Sequence, residues 1–109
     1  MRKSTVDALA VLDAWEKSYK RYRWIKNIWW DFIDAYCMPN SPVDSSDVPE
    51  VERIKNKIDA WLDKAQSKWD QSEGAAFEIH KRYRRNKAIK TRFEEIARYI
   101  AIHEGFIGE

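Results

Sequence analysis

Side chains that could perform catalysis are few in this sequence. His80 and His103 are the two histidines and Cys37 is the single cysteine, so no zinc cluster or internal disulfide can be built around that thiol. Asp59 and Asp63 lie four residues apart and could share a proton or a cation, but neighbouring lysines favour ordinary surface charge. No glycine-rich phosphate loop and no nucleophile-elbow motif occurs. We therefore expect neither enzymatic activity nor a cofactor.

The densest charge in the chain is a basic run from Lys81 to Arg92. Like charges this close repel one another, and an anionic partner would offset that cost. Nucleic acid is the commonest such partner, because each neutralised phosphate releases counterions. The alternatives are an acidic protein surface and a solvated face that meets the chain's own acidic middle segment. The basic members of the run are Lys81, Arg82, Arg84, Arg85, Lys87, Lys90 and Arg92.

A second pattern interleaves basic and aromatic residues between positions 17 and 30. At helical spacing, Lys20, Arg23 and Trp30 share one face, and Trp24 follows Lys20 by four residues. This spacing predicts that Trp24 and Trp30 are exposed. An exposed indole beside Arg and Lys suits base stacking or a hot spot for a protein partner. The alternative is that a small helical domain uses every Trp in its core.

Charge is distributed unevenly along the chain, although its 109 residues carry a net charge of only +2. Residues 1–36 hold seven basic and five acidic side chains, residues 37–80 five and nine, and residues 81–109 eight and four. The high aromatic content excludes a disordered chain. No apolar run approaches the roughly 18 residues of a membrane span, and a lone cysteine suits a reducing compartment. We expect a cytoplasmic protein without a membrane partner.

The elements that must position these residues are helices. Residues 6–36 contain neither Gly nor Pro, and apolar positions recur at steps of four and three, which predicts one long helix that Ser4 or Thr5 could cap. The heptad-like spacing of this stripe would also suit the seam of a homodimer. Its members are Ala8, Leu12, Trp15, Tyr19, Tyr22, Trp29, Ile33 and Tyr36.

The rest of the chain predicts a loop and further helices. All three prolines fall within residues 37–49, a loop of about a dozen residues. A second helix is expected from Ser46–Pro49, where Asp47 and Glu50 resemble a capping box, to Gln71–Gly74. Two helices are expected within residues 75–104, with Thr91 and Glu94 as a capping box and His103 on the inner stripe.

The fold is therefore predicted to be all-α, a single domain over residues 1–109 with three long or four shorter helices. The inner face of the second helix is predicted as Val51, Ile54, Ile58, Trp61, Leu62, Ala65 and Trp69.

Three short motifs resemble a known family. Residues 83–87 read Tyr-Arg-Arg-Asn-Lys, residues 103–108 read His-Glu-Gly-Phe-Ile-Gly, and residues 12–15 read Leu-Asp-Ala-Trp. In these motifs the chain resembles the small phage antitermination proteins of the Q type. The resemblance implies a phage regulator that binds DNA near a late promoter and acts on RNA polymerase. The interval between the two C-terminal motifs is shorter than in that family, so the implied DNA contact is the basic run rather than a set of matched base readers.

Two functions are thus expected for this chain. The first is a small nucleic-acid-binding transcription regulator, with DNA or RNA as its partner and RNA polymerase or another large protein nearby. The alternative is a helical protein-binding module or inhibitor, of the phage host-takeover or anti-defence kind. Such a module would dock on an acidic surface of a larger protein through Trp24, Trp30 and the basic residues.

Overall fold

Three helices make up the described part of the chain, residues 2–37 and 48–108 of a computed structural model. They are α1 (Lys3–Tyr36), α2 (Val48–Arg82) and α3 (Lys87–His103). The predicted all-α architecture is confirmed, in the form with three long helices. Most of the predicted loop, and Asp47 of the predicted capping box, lie outside the described residues, while Val48 and Pro49 already belong to α2.

The first two helices form a long antiparallel hairpin. Trp15 of α1 contacts Phe77 of α2, with ring centroids 6.0 Å apart. Further along α1, Tyr22 stacks on Trp69 at 4.9 Å. A helix of about 35 residues is about 52 Å long, and the molecule measures 61 × 28 × 18 Å. The fold is therefore an elongated rod.

The third helix covers only one half of this hairpin. It runs parallel to α1, from the contact of Asn86 with Thr5 to the contact of Tyr99 with Tyr19, whose ring centroids are 6.0 Å apart. We call this three-helix part the proximal half. The remainder, α1 from Trp24 to Tyr36 with α2 from Val48 to Trp61, consists of two helices and is called the distal half.

Most of the core lies in the proximal half and follows the predicted stripe of α1 as far as Tyr22. Beyond that point Ile25 is buried, at 4% exposure, whereas Tyr36 is 49% exposed. Beyond the end of α3, only the side of α1 that faces α2 is covered, so the buried face of α1 shifts toward α2. The first half of the stripe is thus used within the chain, and a homodimer seam along it would require the fold to open. The most deeply buried side chains are Leu12, Trp15, Tyr19, Ile89 and Ile96.

The predicted end of the second helix at Gln71–Gly74 is wrong. Helix α2 continues through Gly74 to Arg82. A helical glycine costs about 1 kcal/mol relative to Ala, and the packing of the partly buried Trp69 and the buried Ala76 on either side of it outweighs that cost. The break falls instead at residues 83–86, so residues 75–104 contain the end of α2 and the whole of α3.

The helix caps also differ from those predicted. The N-cap of α3 is Asn86, whose side-chain oxygen accepts a hydrogen bond from the backbone N–H of Ile89 at 3.2 Å, so Thr91 lies inside the helix. The N-cap of α1 is Arg2, without a side-chain bond. Thr5, predicted as a cap, is instead buried inside α1.

Candidate nucleic-acid interface

Most of the basic run folds into a sharp corner between α2 and α3. The last turn of α2 ends at Arg82, and the backbone N–H of Asn86 donates to the carbonyl oxygen of Tyr83 at 2.8 Å, which closes the turn. An open hollow of about 650 Å³ lies at this corner. Four cations line it, and two more lie in the first turn of α3. We call these six the basic corner: Lys81, Arg82, Arg84, Arg85, Lys87 and Lys90.

The cations of the basic corner have no acidic partner among the described residues. No carboxylate lies within salt-bridge distance of any of them, and the guanidinium of Arg82 lies over the ring of Tyr83 at 5.7 Å. Elsewhere the chain pairs several of its cations, as with Lys55 and Asp59 at 2.9 Å. The corner therefore keeps its positive charge available for an anion from outside the chain.

The first turn of α1 lies at the same end of the molecule. The side-chain amide of Asn86 donates to the hydroxyl oxygen of Thr5 at 3.4 Å, which places Arg2 and Lys3 at the basic corner's end of the rod. The N-termini of α1 and α3, which carry positive partial charge, meet there. Sequence reasoning missed this, because about eighty residues separate the two segments and only the antiparallel hairpin joins them.

Arg92 differs from the rest of the basic run. Its guanidinium lies 2.9 Å from a carboxylate oxygen of Glu16, 3.1 Å from one of Asp13 and 3.6 Å from one of Glu95. Burial works to lower the pKa of Arg92, but the hydrogen bonds that its guanidinium donates to Glu16 and Asp13 outweigh it and raise the pKa. Arg92 was predicted to be one of the binding residues, but in the structure it is engaged in contacts within the chain.

Trp24 and Trp30 are exposed as predicted, at 62% and 47%, but they lie on different faces of α1. Trp30 lines a hollow of about 210 Å³ with Arg23 at the end of α3. Trp24 lines a separate groove between α1 and α2. Both lie far from the basic corner, since the nineteen residues from Thr5 to Trp24 span about 28 Å of helix.

Lys20, the remaining predicted contact, is partly engaged within the chain. Its ammonium lies 3.8 Å from a carboxylate oxygen of Glu16 and 5.5 Å from the centroid of the Tyr99 ring. It therefore joins the α1–α3 contact near Arg92 rather than the basic corner.

The groups considered for catalysis are engaged in packing and helix contacts. His80 stacks on Phe93 with ring centroids 4.1 Å apart. His103, predicted on an inner stripe, is exposed, and its Nδ1 lies 2.8 Å from the carbonyl oxygen of Tyr99. Within residues 2–37 and 48–108, no cluster of three His, Cys, Asp or Glu side chains could hold a metal ion.

Asp59 was expected to be an ordinary surface charge, but in the structure it links the two long helices. It accepts a hydrogen bond from the indole N–H of Trp29 at 2.7 Å and one from the ammonium of Lys55 at 2.9 Å. The hydrogen bond from Lys55, and after it the one from Trp29, lower the pKa of the Asp59 carboxyl against the opposing effect of burial. This carboxylate therefore links α1 to α2 in the distal half.

Comparison of the chain with protein-family models, with curated proteins and with solved structures gives no match. The resemblance to antitermination proteins of the Q type therefore stays a prediction. In the structure, its Tyr83–Lys87 motif forms the turn between α2 and α3, and its Leu12–Trp15 motif lies in the core. Over the described ranges, no helix has both the length and the apolarity that a membrane span requires.

Proposed function

We propose that this chain is a small nucleic-acid-binding regulator whose basic corner contacts the phosphate backbone of duplex DNA. The observation that carries the proposal is that six cations surround one turn without an acidic partner among the described residues. Each phosphate that such a surface neutralises releases condensed counterions, which provides a favourable free energy at low salt.

Phosphate is a better ligand for the basic corner than an acidic protein surface is. Protein interfaces usually have a centre of large apolar and aromatic side chains. At the corner, Ile89 is fully buried, and Tyr83, which is half-buried, is the one large aromatic side chain among the residues that line the hollow. What the corner presents is charge with little apolar surface, which matches a phosphate backbone.

The charge pattern of α3 favours contact with the phosphate backbone of DNA over hydrogen bonding to base edges. Glu94 and Glu95 are both exposed, one turn beyond Lys90, and would repel phosphates if the helix lay along a major groove. Only the first turn of α3 can then approach DNA closely. Binding is expected to be independent of sequence, and a role beside RNA polymerase would need a further contact elsewhere on the chain.

The proposal is tested by titrating the protein against a fluorescein-labelled random-sequence duplex of about 20 base pairs and following the anisotropy at several salt concentrations. Six phosphate contacts predict that log K falls with log salt at a slope of about −5. Replacing Arg84, Arg85 and Lys87 together by Gln should weaken binding by about tenfold or more at low salt. The slope should then become shallower by about 2.5 to 3.

A matched control removes the same charge from another part of the chain. Replacing Lys57, Lys64 and Lys68 of α2 by Gln should leave DNA affinity within about twofold, because these residues lie far from the basic corner along the rod. Absence of binding at low salt, where electrostatic attraction is strongest, would overturn the proposal. Equal losses in the two triple variants would overturn it as well.

A further inference from the structure

An apolar groove runs between α1 and α2 where the proximal and distal halves meet. Its volume is about 350 Å³. Ile25 and Ala65 form its floor and are almost fully buried, at 4% and 3% exposure. Trp24 and Trp61 line it and are 62% and 49% exposed. Trp61 was predicted to face the core, but it lies at the edge of its apolar stripe and borders this groove instead.

Cations flank the groove on both helices. On α1, Lys17, Arg21 and Trp24 follow one another at steps of four and three, and on α2 the same steps join Lys57, Trp61, Lys64 and, four further on, Lys68. None of these cations has a carboxylate within salt-bridge distance among the residues that the structure describes. The groove therefore has an uncompensated positive border, although the middle segment of the chain is acidic overall.

The distal half next to the groove exposes more large apolar side chains than a two-helix segment can bury. Trp30, Tyr36 and Val48 are each at least 44% exposed, in addition to the two indoles of the groove. The part of this exposed apolar surface that lies in the groove is bordered by charge, a combination that marks sites of protein contact.

We propose that this groove binds an acidic amphipathic helix of a partner protein. Such a helix places large apolar side chains at positions i, i+4 and i+7 on one face, a spacing of about 10 Å that matches the distance along α1 from Arg21 to Ile28. Carboxylates on its flanks then meet Arg21 on one side and Lys64 and Lys68 on the other.

The lining of the groove favours a helix over a nucleic acid. Two exposed indoles beside cations could also stack on bases. However, the hydrogen-bonding side chains that line the groove are cations and indoles, which only donate, so none of them accepts a hydrogen bond from a base amino group. An aliphatic floor formed by Ile25, Ile28 and Ala65 suits Leu or Phe side chains. The groove is also distinct from the basic corner, so this inference does not rest on the proposed DNA contact.

The test uses a fluorescein-labelled synthetic peptide of about 18 residues, long enough to form a helix, with Leu and Phe at helical spacing and Glu on the flanks. Its anisotropy is measured against the full chain and its variants. Trp61→Ala and Trp24→Ala should each weaken binding by about tenfold or more, as truncation of anchor aromatics does. Trp30→Ala is the matched control, since it removes an exposed indole outside the groove, and should change affinity by less than about twofold.

The charge contribution is tested with the Lys57, Lys64 and Lys68 triple Gln variant, which should bind the peptide about tenfold more weakly. The Arg84, Arg85 and Lys87 triple variant should bind it like the unmodified chain. Circular dichroism spectra that match the parent show that each variant is folded.

Three results would overturn the inference. The first is no binding of the peptide at about 1 mM protein. The second is an equal loss of binding in Trp30→Ala and Trp61→Ala. The third is that another ligand displaces the peptide from the groove. Displacement by an oligothymidylate would assign the groove to single-stranded nucleic acid, and displacement by self-association that depends on Trp61 would assign it to a second copy of the chain.

Discussion

The guanidinium of Arg92 on α3 lies 2.9 Å from the carboxylate of Glu16 on α1, and Asp13 accepts from the same nitrogen at 3.1 Å. This bridge fixes the register of the two parallel helices. It also separates Arg92 from the basic corner, although only Thr91 lies between it and Lys90 in sequence. The bridge therefore divides the basic run into a structural cation and a set of free cations.

Arg92→Gln should destabilise the fold without weakening DNA binding. Charge-assisted hydrogen bonds to two carboxylates are lost. Because Asp13 is exposed to solvent, we expect a fall of about 1 kcal/mol in the free energy of unfolding. Urea denaturation measures this change. The comparison variant Arg84→Gln should have a free energy of unfolding within about 0.5 kcal/mol of that of the unmodified chain, and it should bind DNA less tightly. The opposite pattern in the two variants would contradict the division of the basic run.

Gly74→Ala should stabilise the protein. The glycine lies in the middle of α2, and a Cβ atom added there meets no other atom within 4 Å. Alanine is the better helix former and restricts the unfolded chain more, so the free energy of unfolding should rise by about 0.5 to 1 kcal/mol.

Gly105→Ala is the matched comparison for that substitution. Gly105 follows α3 with a φ of +79°, a backbone conformation that L side chains rarely adopt. Alanine there should lower the free energy of unfolding by about 1 kcal/mol. If Gly74→Ala also destabilised the chain in urea denaturation, a continuous α2 would be contradicted, and a helix end near Gly74 would be favoured.

The environment of Tyr19 indicates how the free energy of unfolding should change as the pH becomes alkaline. Its side chain is fully buried and its hydroxyl donates to a carboxylate oxygen of Glu104 at 2.6 Å. Burial first, and Glu104 second, raise the pKa of Tyr19 above the ordinary value of about 10. Because the folded state holds the proton more tightly, this contribution to stability is complete below pH of about 10 and is lost as the pH rises through the raised pKa.

Tyr19→Phe should therefore lower the free energy of unfolding by about 1.5 kcal/mol at neutral pH, since Glu104 loses its donor. Above pH of about 10 the difference between variant and parent should shrink. Urea denaturation over a series of pH values measures both effects. Tyr36→Phe, which alters an exposed phenol, is the control and should follow the parent throughout. A difference for Tyr19→Phe that does not vary with pH would contradict this account.

The sequence by itself determined which side chains share a helix face. The spacing of Leu12, Trp15 and Tyr19 predicted their burial, and the spacing of Trp24 and Trp30 predicted their exposure. Helical periodicity depends only on residues three or four apart, so these assignments did not require knowledge of the fold.

Only the tertiary structure decided which face another helix covers and how far that cover extends. Because α3 ends beside Tyr19, Trp61 borders an open groove rather than a core. Because α2 runs back along α1, the α2–α3 turn lies beside the start of α1, and Lys3 is at the same end of the rod as the basic corner. The packing of α2 carried the helix through Gly74, against its local preference. Whether Arg92 is free or bound depends on Glu16, which is 76 residues away in the chain, and no local pattern encodes a contact at that distance.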